Sequence, residues 1–342
     1  MSQSYDAILF VSFGGPEGMT DVMPFLQNVL RGKNVPPERM HNVARHYELF
    51  GGVSPINEQN RQIIAALTAL LAAEGPNLPV YWGNRNWHPM LAETIKRMAD
   101  DGIKHALAFV TSAYSSFSGC RQYLGNIEEA RAVVGPSAPV IDKIRAYFDH
   151  PGFIGPNVEN VTAALGQIPA SRRDLAYLGF TAHSMPIAMA DGCDYVAQLE
   201  EVGGLIAKSV FHANWTIVYQ SRSGPPDQPW LGPDVCDYIR AIAKLGARDV
   251  VLAPVGFISD HLEVKYDLDT EARLLAESLD INFIRAATPG TQPKFVRMIR
   301  ELILERTVDK PRRYLGRYEP RPDVCWPDCC SYDIPARPAA AD

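Results

Sequence analysis

Along the chain, short runs that are apolar throughout alternate with longer stretches in which apolar residues recur every three or four positions. Ala7–Ser12 (AILFVS) has no polar side, which predicts a parallel strand buried on both faces. Asn57–Glu74 places Ile63, Ile64, Leu67, Leu70 and Leu71 along one side of a helix. Val80–Gly83, His105–Thr111 and a short piece at Val140 continue the strand series, with helices at Pro89–Asp100 and Arg121–Val134. The pattern then restarts. Leu175–Ala182, Trp215–Gln220, Asp249–Pro254 and Asn282–Arg285 read as strands, separated by helices near 194–209, 233–245 and 262–278. Such alternation predicts parallel sheets covered on both faces. Two rounds predict two similar Rossmann-like α/β domains, 1–150 and 151–290, each with a parallel sheet of about four strands flanked by helices, and a seam near Pro151–Pro169. The apolar face of Pro293–Arg306 predicts a helix, within segment 291–310, that packs back on the first domain. Beyond it the Pro-, Arg- and Cys-rich tail 311–342 cannot extend a sheet or helix, so something else must fix it.

Composition narrows the function classes. With 342 residues, 46% hydrophobic and 21% charged, the chain is that of a globular protein. Lys+Arg 33 against Asp+Glu 39 leaves a net charge of −6, which lacks the electrostatic footprint of a nucleic-acid binder. No apolar run approaches the ~18–20 residues of a membrane span. The N-terminus has no basic segment, and its apolar stretch ends in Gly14-Gly15 rather than a cleavage site, so a cytoplasmic protein is expected. Of six cysteines, Cys120, Cys193 and Cys236 stand alone, whereas Cys325, Cys329 and Cys330 crowd the tail. Without a secretory context, metal or cluster ligation is a better expectation for them than a disulfide framework.

In open parallel sheets, ligands bind outside the carboxyl ends of the strands. The segments there are Gly14–Pro16, Asn84–His88, Ser112–Cys120, His183–Pro186, Ser221–Trp230 and Gly256–Glu263. His183, pinned by a following proline, can accept a proton or bind a metal, or can be an imidazole satisfied in the core. Ser184 beside it lacks a Gly-x-Ser-x-Gly elbow. Asp260 can cap the helix that follows. Glu263, Asp267 and Glu271 recur at i, i+4 and i+8, at about 5–6 Å intervals on one helical face. Such a row of oxygen ligands suits a divalent cation passed from one to the next; the plainer alternative is a solvated acidic face.

Five blocks carry a resemblance. GFTAHSMP, YQSRSGPPDQPWLGP and APVGFISDHLEVKYDLD, in that order, with FGGVSPIN at 50–57 and SAYSSFSGCRQY at 112–123, resemble the ferrochelatase family over about residues 5–308. The resemblance implies a lyase that inserts Fe²⁺ into a porphyrin held in a cleft between two similar α/β domains. It implies that His183 and Glu263 come from separate halves and face one another across the macrocycle. His183 would accept protons or make the first iron contact, and Glu263 would take the partner role. Asp267 and Glu271 would conduct the metal, with Asp269 a weaker candidate, while Asp260 and His261 would support Glu263.

Porphyrin carboxylates call for cations and hydroxyls, the ring for apolar walls. Arg31, Arg45, His46, Ser54, Ser115 and Tyr123 are candidates for the first; Phe13, Met185, Ile187 and Trp230 for the second, although each of these can equally serve as core. Phe13 departs from some bacterial relatives that use coproporphyrin, which have tyrosine there close to the iron; phenylalanine cannot ligate, so the resemblance does not carry an axial tyrosinate over to this chain. The stretch between Gly18 and Gly51 is short and carries the polar RGKNVPPERMHN rather than an apolar lip. That favours coproporphyrin III, with four propionates, as substrate and coprohaem III as product. Protoporphyrin IX giving protohaem, insertion of cobalt or nickel, and a non-catalytic haem or porphyrin carrier or sensor are the alternatives. The tail resembles that of relatives holding a [2Fe–2S] cluster, which implies Cys120, Cys325, Cys329 and Cys330 as ligands; structural zinc or a tail disulfide stays open. Expected partners are the porphyrin, Fe²⁺ and, transiently, neighbouring haem-pathway enzymes.

Overall fold

The computed structural model describes residues 4–32 and 36–332, so part of the RGKNVPPERMHN stretch and the end of the tail lie outside it. Two parallel sheets form the frame. The first comprises β1 (Ala7–Ser12), β2 (Val80–Asn84), β3 (His105–Val110) and β4 (Val140–Lys143), in the order β2-β1-β3-β4. The second comprises β5 (Tyr177–His183), β6 (Trp215–Gln220), β7 (Asp249–Ala253) and β8 (Asn282–Arg285), in the matching order β6-β5-β7-β8. Every pairing is parallel. β1 is buried at all positions, as a strand covered on both faces must be.

The helices of the first half are α1 (Met19–Val29), α2 (Pro37–Glu48), α3 (Ile56–Glu74), α4 (Leu91–Asp100) and α5 (Gln122–Val134). The second half has α6 (Pro151–Gly166), α7 (Ala170–Arg173), α8 (Ile187–Ala190), α9 (Tyr195–Ser209), α10 (Val235–Lys244), α11 (Arg273–Ser278) and α12 (Pro293–Thr307). Two π-helices interrupt the pattern: π1 (Phe117–Arg121) leads into α5, and π2 (Val264–Ala272) into α11. Single π-turns concentrate at functional sites. Among the described residues no helix is long and apolar enough to cross a membrane.

The segment expected as a seam is the helix α6, with Pro151 in its first turn and the His150 Nδ1 accepting from the Gly152 N–H at 3.0 Å. Phe153, Ile154, Val161 and Leu165 on its inner side belong to one apolar cluster that also takes Ile8 and Phe10 from the first sheet, Leu178 and Phe180 from the second, and Phe295 and Met298 from α12. Two further clusters cover the outer faces of the sheets. α12 also reaches α3, where Arg297 pairs with Glu74 at 2.7 Å and Arg300 donates to the Gly75 carbonyl at 2.5 Å. The tail has neither helix nor strand among its described residues, and it is pinned by side chains. The buried Arg145 donates to Glu305 and to the Arg313 carbonyl at 3.0 Å, and the Leu315 N–H donates to the Asp149 carbonyl at 2.8 Å.

Candidate active site

In a sheet ordered 2-1-3-4, the chain reverses direction between its first and third strands, and the crevice opens at their carboxyl ends. In the second sheet these strands are β5 and β7. His183 is the last residue of β5, and Glu263 follows the loop that leaves β7. That loop crosses close over β5. A Cβ on Gly256 would stand 2.7 Å from the Ala182 Cα, and the Gly256 N–H donates to the Thr181 carbonyl at 2.9 Å. Only glycine permits this approach. It brings His183 Nε2 to 3.6 Å from Glu263 Oε2.

This geometry corrects one expectation. Both residues belong to the second half, and at 3.6 Å no macrocycle fits between them. They form a single unit because β5 and β7 are adjacent. The chemistry of the unit follows from its hydrogen bonds. His183 Nδ1 lies against the Ser184 carbonyl, which only accepts, so Nδ1 carries the hydrogen. Nε2 then presents a lone pair to a carboxylate oxygen unless a proton or a cation stands between them. The pair is therefore built to share one or the other. Both side chains are partly exposed, at 38% and 49%, so a ligand can reach them. His261 Nδ1 lies 3.9 Å from the same Glu263 oxygen, and burial pulls its imidazole below the usual range, with Glu263 opposing.

The acidic row is carried by π2. Asp267 accepts from the Ser221 hydroxyl and, at 3.3 Å, from Gln220 Nε2, which also donates to the Glu263 carbonyl at 3.4 Å. Thr181 orients that amide by donating to Gln220 Oε1 at 3.0 Å. Burial raises the Asp267 carboxyl to about 7; the Ser221 hydrogen bond opposes this, while Glu263 and Glu271 add to it. Near neutral pH this carboxyl thus stands between its neutral and its charged form. Ser221 adopts φ 61°, a left-handed conformation that aims its hydroxyl at Asp267. Asp269 is not in the row. It accepts from Arg285 at 2.6 Å and from Lys265 at 3.0 Å. Asp260 does not cap the helix either; it pairs with the same Arg285 at 2.8 Å and accepts from Thr288 at 3.1 Å.

The first half contributes a second group of residues. His46 of α2 stacks on Tyr266 of π2 at 3.7 Å and 9°, which sets it beside the acidic row. Burial pulls the His46 imidazole below its usual range, with Glu271 opposing, while burial and then Glu271 push the Tyr266 phenol up. Tyr47 packs with Leu262, and its phenol is raised by burial and then by Glu263. Ser54 is buried against Gly15, where a Cβ would stand 2.7 Å away. Phe13 meets Phe25 edge-on at 6.2 Å. Arg85, not singled out in the sequence, lies 5.8 Å from the Phe13 ring and 4.4 Å from that of Tyr123, with Nε donating to Asn126 at 2.7 Å. Its fork is thus aimed beside two predicted site residues.

Other candidates fall elsewhere. Arg45 lines a shallow groove of about 190 Å³ between α1 and α2, with Met19, Met23 and His41. Arg31 is exposed and donates to Asn28 at 2.6 Å. Ser115 is committed to Gln198, its N–H donating at 2.8 Å and its hydroxyl accepting at 3.0 Å. Met185 is buried, Ile187 is 39% exposed, and Trp230 pairs with Pro186 in an antiparallel bridge and donates to Gln228 at 3.2 Å.

The cysteines split in the same way. Cys120 on π1 shares a hydrogen bond with Cys330, Cys330 Sγ lies 3.7 Å from Cys329 Sγ, and Cys329 shares a hydrogen bond with Cys325. Hydrogen bonding to Cys330 pulls the Cys120 thiol down to about 5, while Cys330 and Cys325 are raised. The four form a chain of pairwise contacts, and among the described residues no three His, Cys, Asp or Glu side chains stand as a closed ion cage. Arg121 docks the tail by donating to the Cys329 carbonyl at 2.7 Å, the Trp326 carbonyl at 3.3 Å and the Pro327 carbonyl.

Comparison with known proteins places this arrangement. A ferrochelatase from Rhodopirellula baltica is 54% identical, covering 98% of this chain and 96% of the relative. A coproporphyrin III ferrochelatase from Streptomyces coelicolor is 47% identical, with the same coverage. Among solved structures, the sirohydrochlorin chelatase SirB of Bacillus subtilis in complex with cobalt shares the fold at a TM-score of 0.53 and 10% identity, covering 90% of this chain and 97% of that one. The ferrochelatase family model matches residues 5–307, and with the relatives above it shows that the chain belongs to the ferrochelatase family.

Proposed function

We propose that the enzyme inserts Fe²⁺ into coproporphyrin III to give coprohaem III. The reaction replaces two pyrrole protons by one dication, so the site must take protons and yield iron at one place. The observation that carries the reading is the His183–Glu263 pair, 3.6 Å apart, partly exposed and jointly disposed to hold a proton or a cation. Both groups would act on one face of the ring. His183 Nε2 takes the two pyrrole protons one at a time, passing each to the solvent it is partly exposed to, while Glu263 stabilises the imidazolium so formed and iron arrives along Glu271 and Asp267. Asp267 releases its proton as the cation binds. His261, whose imidazole burial pulls below the usual range, supports Glu263 from 3.9 Å.

Arg85, Tyr123, Ser54 and Phe13 would receive the ring and its carboxylates from the first half. The division into units 1–150 and 151–290, with 291–310 returning to the first, belongs to the same reading. Support for coproporphyrin III comes from the short, polar stretch between Gly18 and Gly51, and from relatives bearing that substrate in their names. The test is an anaerobic assay with Fe²⁺ and each porphyrin, read by loss of free-porphyrin fluorescence. Faster turnover of coproporphyrin III is expected, and a clear preference for protoporphyrin IX overturns the substrate assignment.

The reading also gives Cys120, Cys325, Cys329 and Cys330 a [2Fe–2S] cluster. Four thiols in a contact chain suit thiolate ligation. When bound, such a group supplies a cross-link between tail and π1 and one exchangeable electron. The chain's own part is done by Arg121, which docks the tail backbone, and by Ser116, whose hydroxyl accepts from Gly119 N–H at 2.8 Å at the start of π1. Purified protein should be coloured and contain iron and acid-labile sulfide. Cys120→Ser should lose both, and retention of full colour would refute the ligand set.

A further inference from the structure

We propose that Arg321 is the positioning residue that tunes the tail cysteine group, its guanidinium donating to sulfur and favouring the more negative, reduced form. This rests on the reading that the four cysteines hold a [2Fe–2S] cluster.

Two arginines meet the tail turn, and they divide the labour. Arg121 spends its donors on backbone carbonyls, so it docks the chain. Arg321 instead reaches a sulfur: Nη2 lies 3.6 Å from Cys329 Sγ, while Nη1 is held at 2.7 Å by Asp194 at the start of α9. Its Nε is buried and has no hydrogen-bond partner. The side chain is held by Asp194 and Cys329, so the acceptor for Nε has to come from the space beside it, from water or from a group bound by the cysteines. Beside it lies a cavity of about 580 Å³, lined by Arg321, Cys193, Asp194, Trp326, Cys329 and Cys330, that gives this corner room.

The charge logic is one-directional. Thiolate ligation brings several negative charges to one place, and one-electron reduction adds another. A fixed cation donating N–H to sulfur stabilises the reduced state more than the oxidised one and so raises the midpoint potential. Lys143 also faces Cys120, but its Nζ donates to the Ile144 carbonyl at 2.9 Å, so it supplies field without a bond to sulfur. Arg321 supplies both.

The test is an anaerobic titration of the iron- and sulfide-loaded protein with dithionite and mediators, followed by visible absorbance and electron paramagnetic resonance. Arg321→Gln should lower the reduced-to-oxidised ratio at fixed poise at least tenfold, about 59 mV in midpoint, with iron and sulfide content unchanged. Arg321→Lys, which keeps charge but loses the planar fork, should fall between. A change of less than twofold in Arg321→Gln overturns the proposal, even if thermal stability drops, because a merely structural arginine would move only the latter. Should Arg321→Gln fail to take up the cluster, Arg321→Lys decides: a midpoint below wild type supports the proposal, and an unchanged one refutes it. Wild-type protein without iron and sulfide would remove the cluster reading itself, and this inference with it.

Discussion

Arg285 supports π2 from the neighbouring strand, and replacing it exposes how much of the site depends on one guanidinium. Its side chain is 13% exposed and is shared between Asp260, at 2.8 and 3.2 Å, and Asp269, at 2.6 Å. These carboxylates lie on either side of Glu263 in the chain. In Arg285→Met the volume is largely kept and the charge is lost. Asp269 retains Lys265, but Asp260 is left with only Thr288 and its backbone N–H bond to Gln59. Breaking a buried pair in this way costs about 3–5 kcal/mol. The surviving Lys265 contact points to the lower end, about 3 kcal/mol. Guanidinium denaturation measures it directly. Adding Asp260→Asn should return roughly 0.5–3 kcal/mol, since it removes the stranded charge. In the metal-insertion assay kcat should fall more than the porphyrin KM changes, because Glu263 shifts and the ring contacts of the first half do not. A single variant within about 1 kcal/mol of wild type, a range typical of exposed pairs, would refute the reasoning.

Other expectations concern the reacting groups. His183→Ala and Glu263→Gln should each lower Fe²⁺ insertion by ~10²–10⁴ while porphyrin binding, followed by fluorescence quenching, persists; a loss below tenfold would contradict the assigned roles. Asp267, raised to about 7, holds in the folded state a proton that the unfolded chain releases above about 4. Its contribution to stability therefore declines as pH rises from about 4 to 7 and then levels off. Asp267→Asn should remove that slope and stabilise the protein at pH 7 by about 1–2 kcal/mol, discounted for partial exposure. Urea midpoints across this range provide the check, and a variant with the wild-type slope would exclude Asp267 as its source. Gly256→Val should cost about 1–3 kcal/mol and most of the activity, because the new Cβ meets the backbone under His183; calorimetry and the insertion assay report both, and a wild-type melting temperature would show that the crossing loop yields.

Much of the frame was legible because its signals are local. A run as short as AILFVS, with turn residues after it, fits a strand covered on both sides better than a helix, and the doubled alternation matches the doubled sheet. α6 was obscured by its own start, since Pro151, Gly152, Gly155 and Pro156 read as a break, although proline in a first helical turn is favourable. In the site, residue type was readable at His183 and Glu263, but their side-by-side placement was not. That depends on β5 and β7 being neighbours, which is a matter of strand order rather than spacing. Arg85, Gln220, Ser221 and Arg285 gave no periodic signal at all. Arg85 and Ser221 fall in segments marked by their place after a strand, but which residue of each segment acts, like the roles of Gln220 and Arg285, emerges only once its partner has been brought near by the fold.

The apolar cluster that runs from the first sheet through α6 to the second sets the character of the whole device. Prising the sheets apart would wet Phe10, Phe153, Phe180 and Phe295 together, at about 1.5–3 kcal/mol each. Four such rings amount to roughly the entire margin by which a domain of this kind stays folded. The molecule is thus a vice with a welded frame rather than a pair of hinged jaws. A macrocycle bound as proposed would meet walls that resist being spread, so its fit would be set by the side chains that line them rather than by movement of the two halves.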